Sequence, residues 1–113
     1  MGNARTRTLA ICGAALAGLW VPSSVGAATS DADATKLLTK YNCQACHAAD
    51  KKLVGPSYKE VAAKYSGDTG APAKLQQKIK SGGSGAWGAV PMPPNNVPDV
   101  ELQTVVAWIL DQK

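Results

Sequence analysis

Apolar residues recur at helical spacing in four segments of the chain, all of them after residue 30. The segments are 32–41, 58–65, 72–80 and 98–111, and the last one carries an apolar stripe of Leu102, Val105, Val106 and Ile109. Spacings of three and four residues place side chains on one side of a helix, whereas a strand would show strict alternation. The pattern therefore predicts an all-α domain of four helices, without a repeat or a linker.

Residues at the ends of these segments support the predicted helices. Ser30 or Asp31 can cap the first helix and Ser57 the second, because their side-chain oxygens can accept hydrogen bonds from backbone N–H groups. Pro72 suits the first turn of the third helix, and Gly82 suits its end.

A segment rich in glycine and proline, SGGSGAWGAVPMPPNNV at 81–97, precedes the fourth helix. Such a composition favours neither a helix nor a paired strand. Loops of this length inside compact domains are usually functional or disordered. This one carries Trp87 and Met92, so we expect it to contribute to a functional site.

The N-terminus has the order of a secretory signal peptide. Arg5 and Arg7 precede an apolar run at 9–21, and small residues follow up to Ala27 and Ala28. The run is shorter than the roughly 20 residues that a membrane-spanning helix needs. We therefore predict a cleaved signal at 1–27, or a cut at residue 28, and one domain at 28–113 with no retained membrane anchor.

The charge of residues 28–113 argues against a nucleic acid partner. Both arginines lie in the predicted signal, which leaves ten lysines against eight acidic residues. Nucleic-acid binding calls for a clustered basic surface, and arginine is the residue suited to bidentate readout. The domain is also small and contains no phenylalanine, so we expect a cofactor to complete its core.

The sequence CQACH, from Cys43 to His47, is the C-x-x-C-H pattern of c-type haem attachment. On one helical turn, the sulfurs of Cys43 and Cys46 can each add to a vinyl group of one porphyrin, and His47 follows as an iron ligand. A thioredoxin-like redox pair would need alternating strands and helices. A disulfide closing so small a loop would stabilise the fold little. A zinc site would need a fourth ligand, for which Asp50 is the candidate.

The second axial ligand of such a haem must be a thioether or a lysine, because His47 is the only histidine of the chain. Met92 is the methionine that remains outside the signal, and it lies in Pro91-Met92-Pro93-Pro94. Prolines stiffen this segment before folding, so less entropy is lost when it holds a sulfur against iron. We predict Met92 as the ligand, with lysine exchange at high pH as the alternative. A thioether raises the potential of haem iron, and two filled axial positions favour electron transfer over catalysis.

Five stretches together resemble the small bacterial class I cytochromes c of the c-551 or c-552 type, also called cytochrome c8. They are CQACH, VGPSYKEVAAKY, KIKSGGSGAWG, PMPPN and VVAWILDQK. The resemblance implies a class I cytochrome c fold with about four helices around one covalent haem c. It also implies a periplasmic monomer that carries electrons from a membrane cytochrome complex to a terminal reductase, such as nitrite reductase, or to an oxidase.

The resemblance also assigns roles to further residues. Pro56 matches a proline whose carbonyl accepts a hydrogen bond from the haem histidine, which would orient His47. Asn95 matches an asparagine that donates toward the methionine sulfur, and Trp87 matches a tryptophan that bonds a haem propionate. Trp108 matches a tryptophan packed near the haem. Lys78 stands where relatives often carry an arginine near the propionates, and its point charge replaces that fork only in part.

Two other classes of function share these features: an electron-entry subunit of a larger oxidoreductase complex, and a redox or gas sensor with a labile methionine ligand. A carrier would dock through its exposed haem edge. Five lysines are candidates for a rim that steers partners: Lys36, Lys40, Lys51, Lys52 and Lys59.

Overall fold

The computed structural model of the chain describes residue 13, residues 17–19 and residues 29–113. Most of the predicted signal at 1–27 therefore lies outside the described residues, and the signal stays a prediction. Within the described ranges, no helix is long and apolar enough to cross a membrane.

Four α-helices and one short 3₁₀ helix make up the regular structure of residues 29–113. The α-helices are α1 (Asp31–Lys40), α2 (Tyr58–Lys64), α3 (Ala71–Ser81) and α4 (Asp99–Leu110). The 3₁₀ helix, Cys43–Ala45, follows α1. No β-sheet forms in this part of the chain, where β-pairing is confined to isolated bridges. The predicted all-α class with four helices is confirmed, and each boundary moves by at most a residue or so.

The helix ends form where the capping residues predict them. The Ser30 hydroxyl accepts a hydrogen bond from the backbone N–H of Asp33 at 3.1 Å, so α1 begins one residue earlier than predicted. At α2, Ser57 and Glu60 form a reciprocal capping box, with hydrogen bonds of 3.1 and 2.7 Å. Gly82 ends α3 with a positive φ of 64°.

Helix α4 is the centre of the packing, since it contacts α1, α2 and α3. The predicted apolar stripe of α4 is buried, and Leu102 has no exposed surface. The other helices face it with a small set of apolar side chains: Ala34, Leu38, Tyr58, Val61 and Leu75. This modest core lies to one side of the cavity described below.

The loop between α3 and α4 differs from its prediction in one respect. Gly83 and Met92 pair across the loop through two backbone hydrogen bonds, each 2.9 Å long. Met92 supplies both the donor and the acceptor of this single bridge. Pro94, two residues further on the same edge, has no N–H to donate, so the pairing cannot continue past Met92 into a strand.

Candidate functional site

The cysteine motif lies on a tight turn directly after α1. The prediction of one helical turn is met by a 3₁₀ helix, in which the N–H groups of Cys46 and His47 both donate to the carbonyl of Cys43, at 3.2 and 3.0 Å. Neither cysteine forms a disulfide. Burial raises the pKa of the Cys43 thiol. A thioredoxin-like pair would need alternating strands and helices, and residues 29–113 contain no strand.

The imidazole of His47 is oriented by the segment that leads into α2. Its Nδ1 lies 2.7 Å from the carbonyl oxygen of Pro56. Because a carbonyl can only accept, Nδ1 must carry the proton, and the lone pair of Nε2 is left for a metal. Gly55 makes this approach possible, since a Cβ at that position would lie 2.5 Å from Cε1 of His47.

Tyr58 is the aromatic neighbour of that imidazole. The ring centroids of His47 and Tyr58 are 5.7 Å apart, with 25° between the planes. The Tyr58 hydroxyl is buried and has no hydrogen-bond partner, and burial raises its pKa. The phenol therefore stays neutral, and Tyr58 acts as an apolar wall behind His47.

Trp108 packs behind Tyr58. The two rings meet edge to face at 5.3 Å, and the indole N–H of Trp108 donates to Asp31 at 2.7 Å. Trp108 is not among the side chains that line the cavity. Trp108 joins α4 to the start of α1 and supports Tyr58, and its packing near the haem remains a prediction.

A single cavity brings the predicted ligands together. It has a volume of about 350 Å³, within the range of roughly 300–1,000 Å³ typical of small-molecule sites. Cys43, Cys46, His47 and Met92 all line it. Its wall also includes apolar side chains from all four helices: Leu38, Val61, Leu75, Ile79, Leu102, Val105 and Ile109.

Predictions also concern Trp87, Lys78 and Asn95, and Asn95 is not among the residues that line this cavity. Trp87 and Lys78 line it and are half-buried. The side-chain amide of Asn95 donates to the carbonyl of Pro93 at 2.9 Å. In this conformation that N–H stabilises the turn after Met92, and the role of Asn95 toward the sulfur remains a prediction.

Two of the five lysines proposed as a steering rim are engaged elsewhere. Lys40 forms an ion pair with Glu101 of α4 at 2.9 Å, and Lys36 lies 3.9 Å from Asp33 of its own helix. Lys52 does line the cavity, and its backbone pairs with His47 in an isolated bridge. The role of these five lysines in steering a partner remains a prediction.

A comparison with known families identifies the kind of protein that contains this cavity. Residues 32–113 match the sequence model of the cytochrome c family. The chain belongs to the cytochrome c family. Cytochromes c carry a covalently attached haem c and transfer electrons, so this cytochrome is a haem-binding electron-transfer protein and not an enzyme.

Relatives narrow the family to the predicted type. This cytochrome is 54% identical to cytochrome c-551 of Pseudomonas aeruginosa over 81 residues, which is 72% of this chain and 78% of the relative. It is 48% identical to cytochrome c-552 of Nitrosomonas europaea over 89 residues, covering 78% of this chain and 84% of the relative. These values confirm the resemblance to the c-551 and c-552 type.

Two solved structures support the fold. The crystal structure of wild-type cytochrome c552 from Nitrosomonas europaea matches with a TM-score of 0.67 at 48% identity, over 70% of this chain and 99% of that one. The crystal structure of class 1 cytochrome MtoD from Sideroxydans lithotrophicus matches with a TM-score of 0.66 at 33% identity, over 75% of this chain and 98% of that one. The class I cytochrome c fold is therefore confirmed.

The residues around the cavity fit a haem c. Two thiols lie on one turn, an imidazole has its Nε2 available, and a thioether faces the same cavity. The alternative of a zinc site finds no support, because residues 29–113 contain no group of three His, Cys, Asp or Glu side chains that could hold a metal ion.

Sequence reasoning did not anticipate two contacts around the site. The stacking of Tyr58 on His47 joins residues from different segments, and Tyr58 was named only as the first residue of a helix. Lys64 reaches the loop at Ala86, 22 residues further along the chain. Helical periodicity describes one element at a time, so neither contact leaves a signal in it.

Proposed function

We propose that this cytochrome is a periplasmic monohaem electron carrier that takes electrons from a membrane cytochrome complex and delivers them to a terminal reductase, such as nitrite reductase, or to an oxidase. The observation that supports this most is the convergence of Cys43, Cys46, His47 and Met92 on one cavity. The sequence places them in two segments that are far apart along the chain.

Each of these residues has a defined part in holding the cofactor. Cys43 and Cys46 form the two thioether bonds, while His47 and Met92 supply the nitrogen and sulfur ligands. The carbonyl of Pro56 accepts the Nδ1 proton, which fixes the imidazole and increases its donor strength. Trp87 and Lys78 would meet the haem propionates as a hydrogen-bond donor and a positive charge, and Asn95 would support Met92.

The haem, when bound, supplies a one-electron couple at its iron. With His47 and Met92 as its two protein ligands, a bound haem would have no coordination position open for a substrate, which favours outer-sphere electron transfer. The apolar wall would shield a bound haem from water and so limit the solvent reorganisation that a change of charge requires.

The surface beside the cavity suits brief contact with a redox partner. Val54 and Val90 line the cavity and are 56% and 65% exposed. Lys52 lies two residues before Val54 and lines the same cavity. A positive charge beside a small apolar area attracts an acidic partner, and the small contact area lets that partner dissociate quickly.

The periplasmic location rests on the predicted signal at 1–27. Export would also bring the cysteines to the compartment where haem is attached to C-x-x-C-H motifs. N-terminal sequencing of the exported protein should find a start at residue 28 or 29, and a protein that still begins at residue 1 would contradict the signal.

Mass and spectra test the haem itself. The intact mature protein should weigh the polypeptide plus one haem, and reduced-minus-oxidised spectra should show the bands of a six-coordinate c-type haem. A mature mass without an added haem would overturn the proposal.

Purification and kinetics test the carrier role. A free monomer on sizing, reduced by a membrane cytochrome complex at a rate that falls with ionic strength, is the expected result. Stable co-elution with a catalytic subunit would instead identify an electron-entry subunit. Binding of carbon monoxide by the native ferrous form at neutral pH would instead favour a sensor.

A further inference from the structure

The tip of the loop that carries Met92 is a tight turn between two glycines. The N–H of Gly85 donates to the carbonyl of Gly88 at 2.8 Å, and Ala86 and Trp87 lie between them. Gly85 and Gly88 have φ values of 102° and 122°, and a Cβ added at either position would meet nothing within 4 Å. The backbone of this turn is therefore free to move unless something outside it holds it.

Lys64, the last residue of α2, supplies such a contact. Its ammonium donates a hydrogen bond to the carbonyl of Ala86 at 2.9 Å. The same ammonium lies 4.4 Å from the centroid of the Trp87 ring. Among the hydrogen bonds of residues 29–113, this is the one that joins the turn to a side chain from outside the loop.

The two contacts of Lys64 act on consecutive residues and on different atoms. The hydrogen bond fixes the backbone at Ala86, and the cation over the ring fixes the plane of Trp87. Together they fix the backbone beside the indole and the plane of its ring. A single contact would leave the turn free to rotate about it.

Helix α2 connects this contact to the opposite side of the cavity. Its first residue, Tyr58, stacks on His47, and its last residue, Lys64, holds Trp87. The helix has seven residues and its core positions Val61 and Ala62 are buried, so it is a short, well-packed element. Helix α2 therefore helps to position both Trp87 and His47.

We propose that Lys64 is a positioning residue of the haem site, which orients Trp87 and holds the loop that carries Met92 in place. The proposal rests on the proposed function, because it concerns how Trp87 meets a haem carboxylate. Lys64 also places a positive charge beside the cavity edge, and a positive charge disfavours the oxidised, more positive haem.

The test compares three variants with the wild-type holoprotein. Lys64→Met keeps the length and apolar stem of the side chain but removes the ammonium. Lys64→Arg keeps the charge, can still donate to Ala86 and stacks well on an indole. Lys59→Met is the matched control, because Lys59 is exposed on the same helix and its side chain makes none of the hydrogen bonds or ion pairs found in residues 29–113.

Two measurements follow the loop and the haem separately. Amide hydrogen exchange of peptides covering 84–92 should accelerate roughly five- to tenfold in Lys64→Met, since an exposed cation–π contact and a charged hydrogen bond are lost. Peptides covering α4 should exchange at the wild-type rate. The reduction potential should fall in Lys64→Met by more than in Lys59→Met, and Lys64→Arg should restore both properties.

The outcomes separate this inference from the proposed function. If the wild-type protein carries no haem, the proposed function fails before Lys64 is tested. If the wild type is a normal haem carrier but Lys64→Met leaves loop exchange at the wild-type rate and changes the potential no more than Lys59→Met, the positioning role is wrong. Equal effects of Lys64→Met and Lys64→Arg would likewise overturn it.

Discussion

The two sides of the cavity hold their predicted ligands in different ways. On the histidine side the ring itself is fixed, with Nδ1 of His47 on the carbonyl of Pro56 at 2.7 Å and Tyr58 stacked behind it. On the methionine side the hydrogen bonds are those of the backbone, which joins Met92 to Gly83 twice at 2.9 Å. The imidazole is oriented directly, and the thioether is positioned through the main chain.

This difference explains why the two sides have such different sequences. A backbone that must hold a side chain needs residues that restrict it or permit unusual conformations, so the methionine side is rich in proline and glycine. Gly82 is the extreme case, with φ 64° and ψ −153°, and a Cβ there would lie 2.3 Å from the carbonyl oxygen of Met92. The histidine side needs specific partners instead, namely a carbonyl acceptor and an aromatic wall.

Met92→Ala should have the largest effect, because it removes the sulfur and leaves the backbone bridge to Gly83 in place. Loss of a thioether ligand should lower the reduction potential, on the order of tenths of a volt, and should let carbon monoxide bind the ferrous protein. Spectroelectrochemical titration and carbon monoxide spectra measure both. An unchanged potential and spectrum would show that Met92 is not the ligand.

Gly82→Ala should distort the loop that carries Met92 through a change in the backbone alone. The conformation of Gly82 is nearly exclusive to glycine and the added Cβ meets main-chain atoms, so we expect a loss of about 3 kcal/mol in the free energy of unfolding.

Gly67→Ala is the matched control for that change, measured by the same denaturant titration. Gly67 also has a positive φ, 77°, but a Cβ there meets nothing within 4 Å. Its loss should be nearer 1 kcal/mol. Equal losses in the two variants would mean that the close approach of Gly82 to Met92 does not matter.

Gly55→Ala tests the histidine side in the same way. The new Cβ would push the His47 ring away from Pro56, and we expect a loss of about 2 kcal/mol in stability together with a changed potential. Gly70→Ala is the control, since its Cβ would first meet the flexible carboxylate of Asp68 at 3.2 Å. A wild-type potential in Gly55→Ala would argue that the Pro56 contact does not tune the haem.

The sequence was sufficient to predict the helices because each of them has apolar residues at helical spacing, and α1 and α2 also begin at serine caps. The stripe of α4 and the cap at Ser57 are local patterns, and the structure confirms both. The family resemblance likewise predicted the contact between His47 and Pro56, which lie nine residues apart.

Contacts between distant segments were beyond the same reasoning. Trp108 donates to Asp31, 77 residues away, and Lys40 pairs with Glu101, 61 residues away. Both depend on how α1 and α4 cross, which no spacing within either helix determines. For this reason the hydrogen bond of Trp108 to Asp31 and the ion pair of Lys40 with Glu101 were not anticipated.

The smallest expected effect concerns the capping box that begins α2 on the histidine side. The backbone N–H and the hydroxyl of Ser57 lower the pKa of Glu60, with Lys52 adding a weaker attraction. Ionised Glu60 therefore stabilises the fold above the ordinary pKa of a glutamate, and this contribution is lost as the pH falls through its lowered value.

Glu60→Gln should accordingly be less stable than wild type at pH 7, and the difference should disappear once the pH has fallen below the lowered pKa of Glu60. Ser57→Ala removes the neutral half of the same box, the hydroxyl that accepts the N–H of Glu60, and should cost about 1 kcal/mol with a weaker dependence on pH. Denaturant titrations at several pH values compare the two variants. If the deficit of Glu60→Gln persists unchanged at low pH, its cause is lost packing or hydrogen bonding, and the charge of Glu60 plays no part in holding the histidine side together.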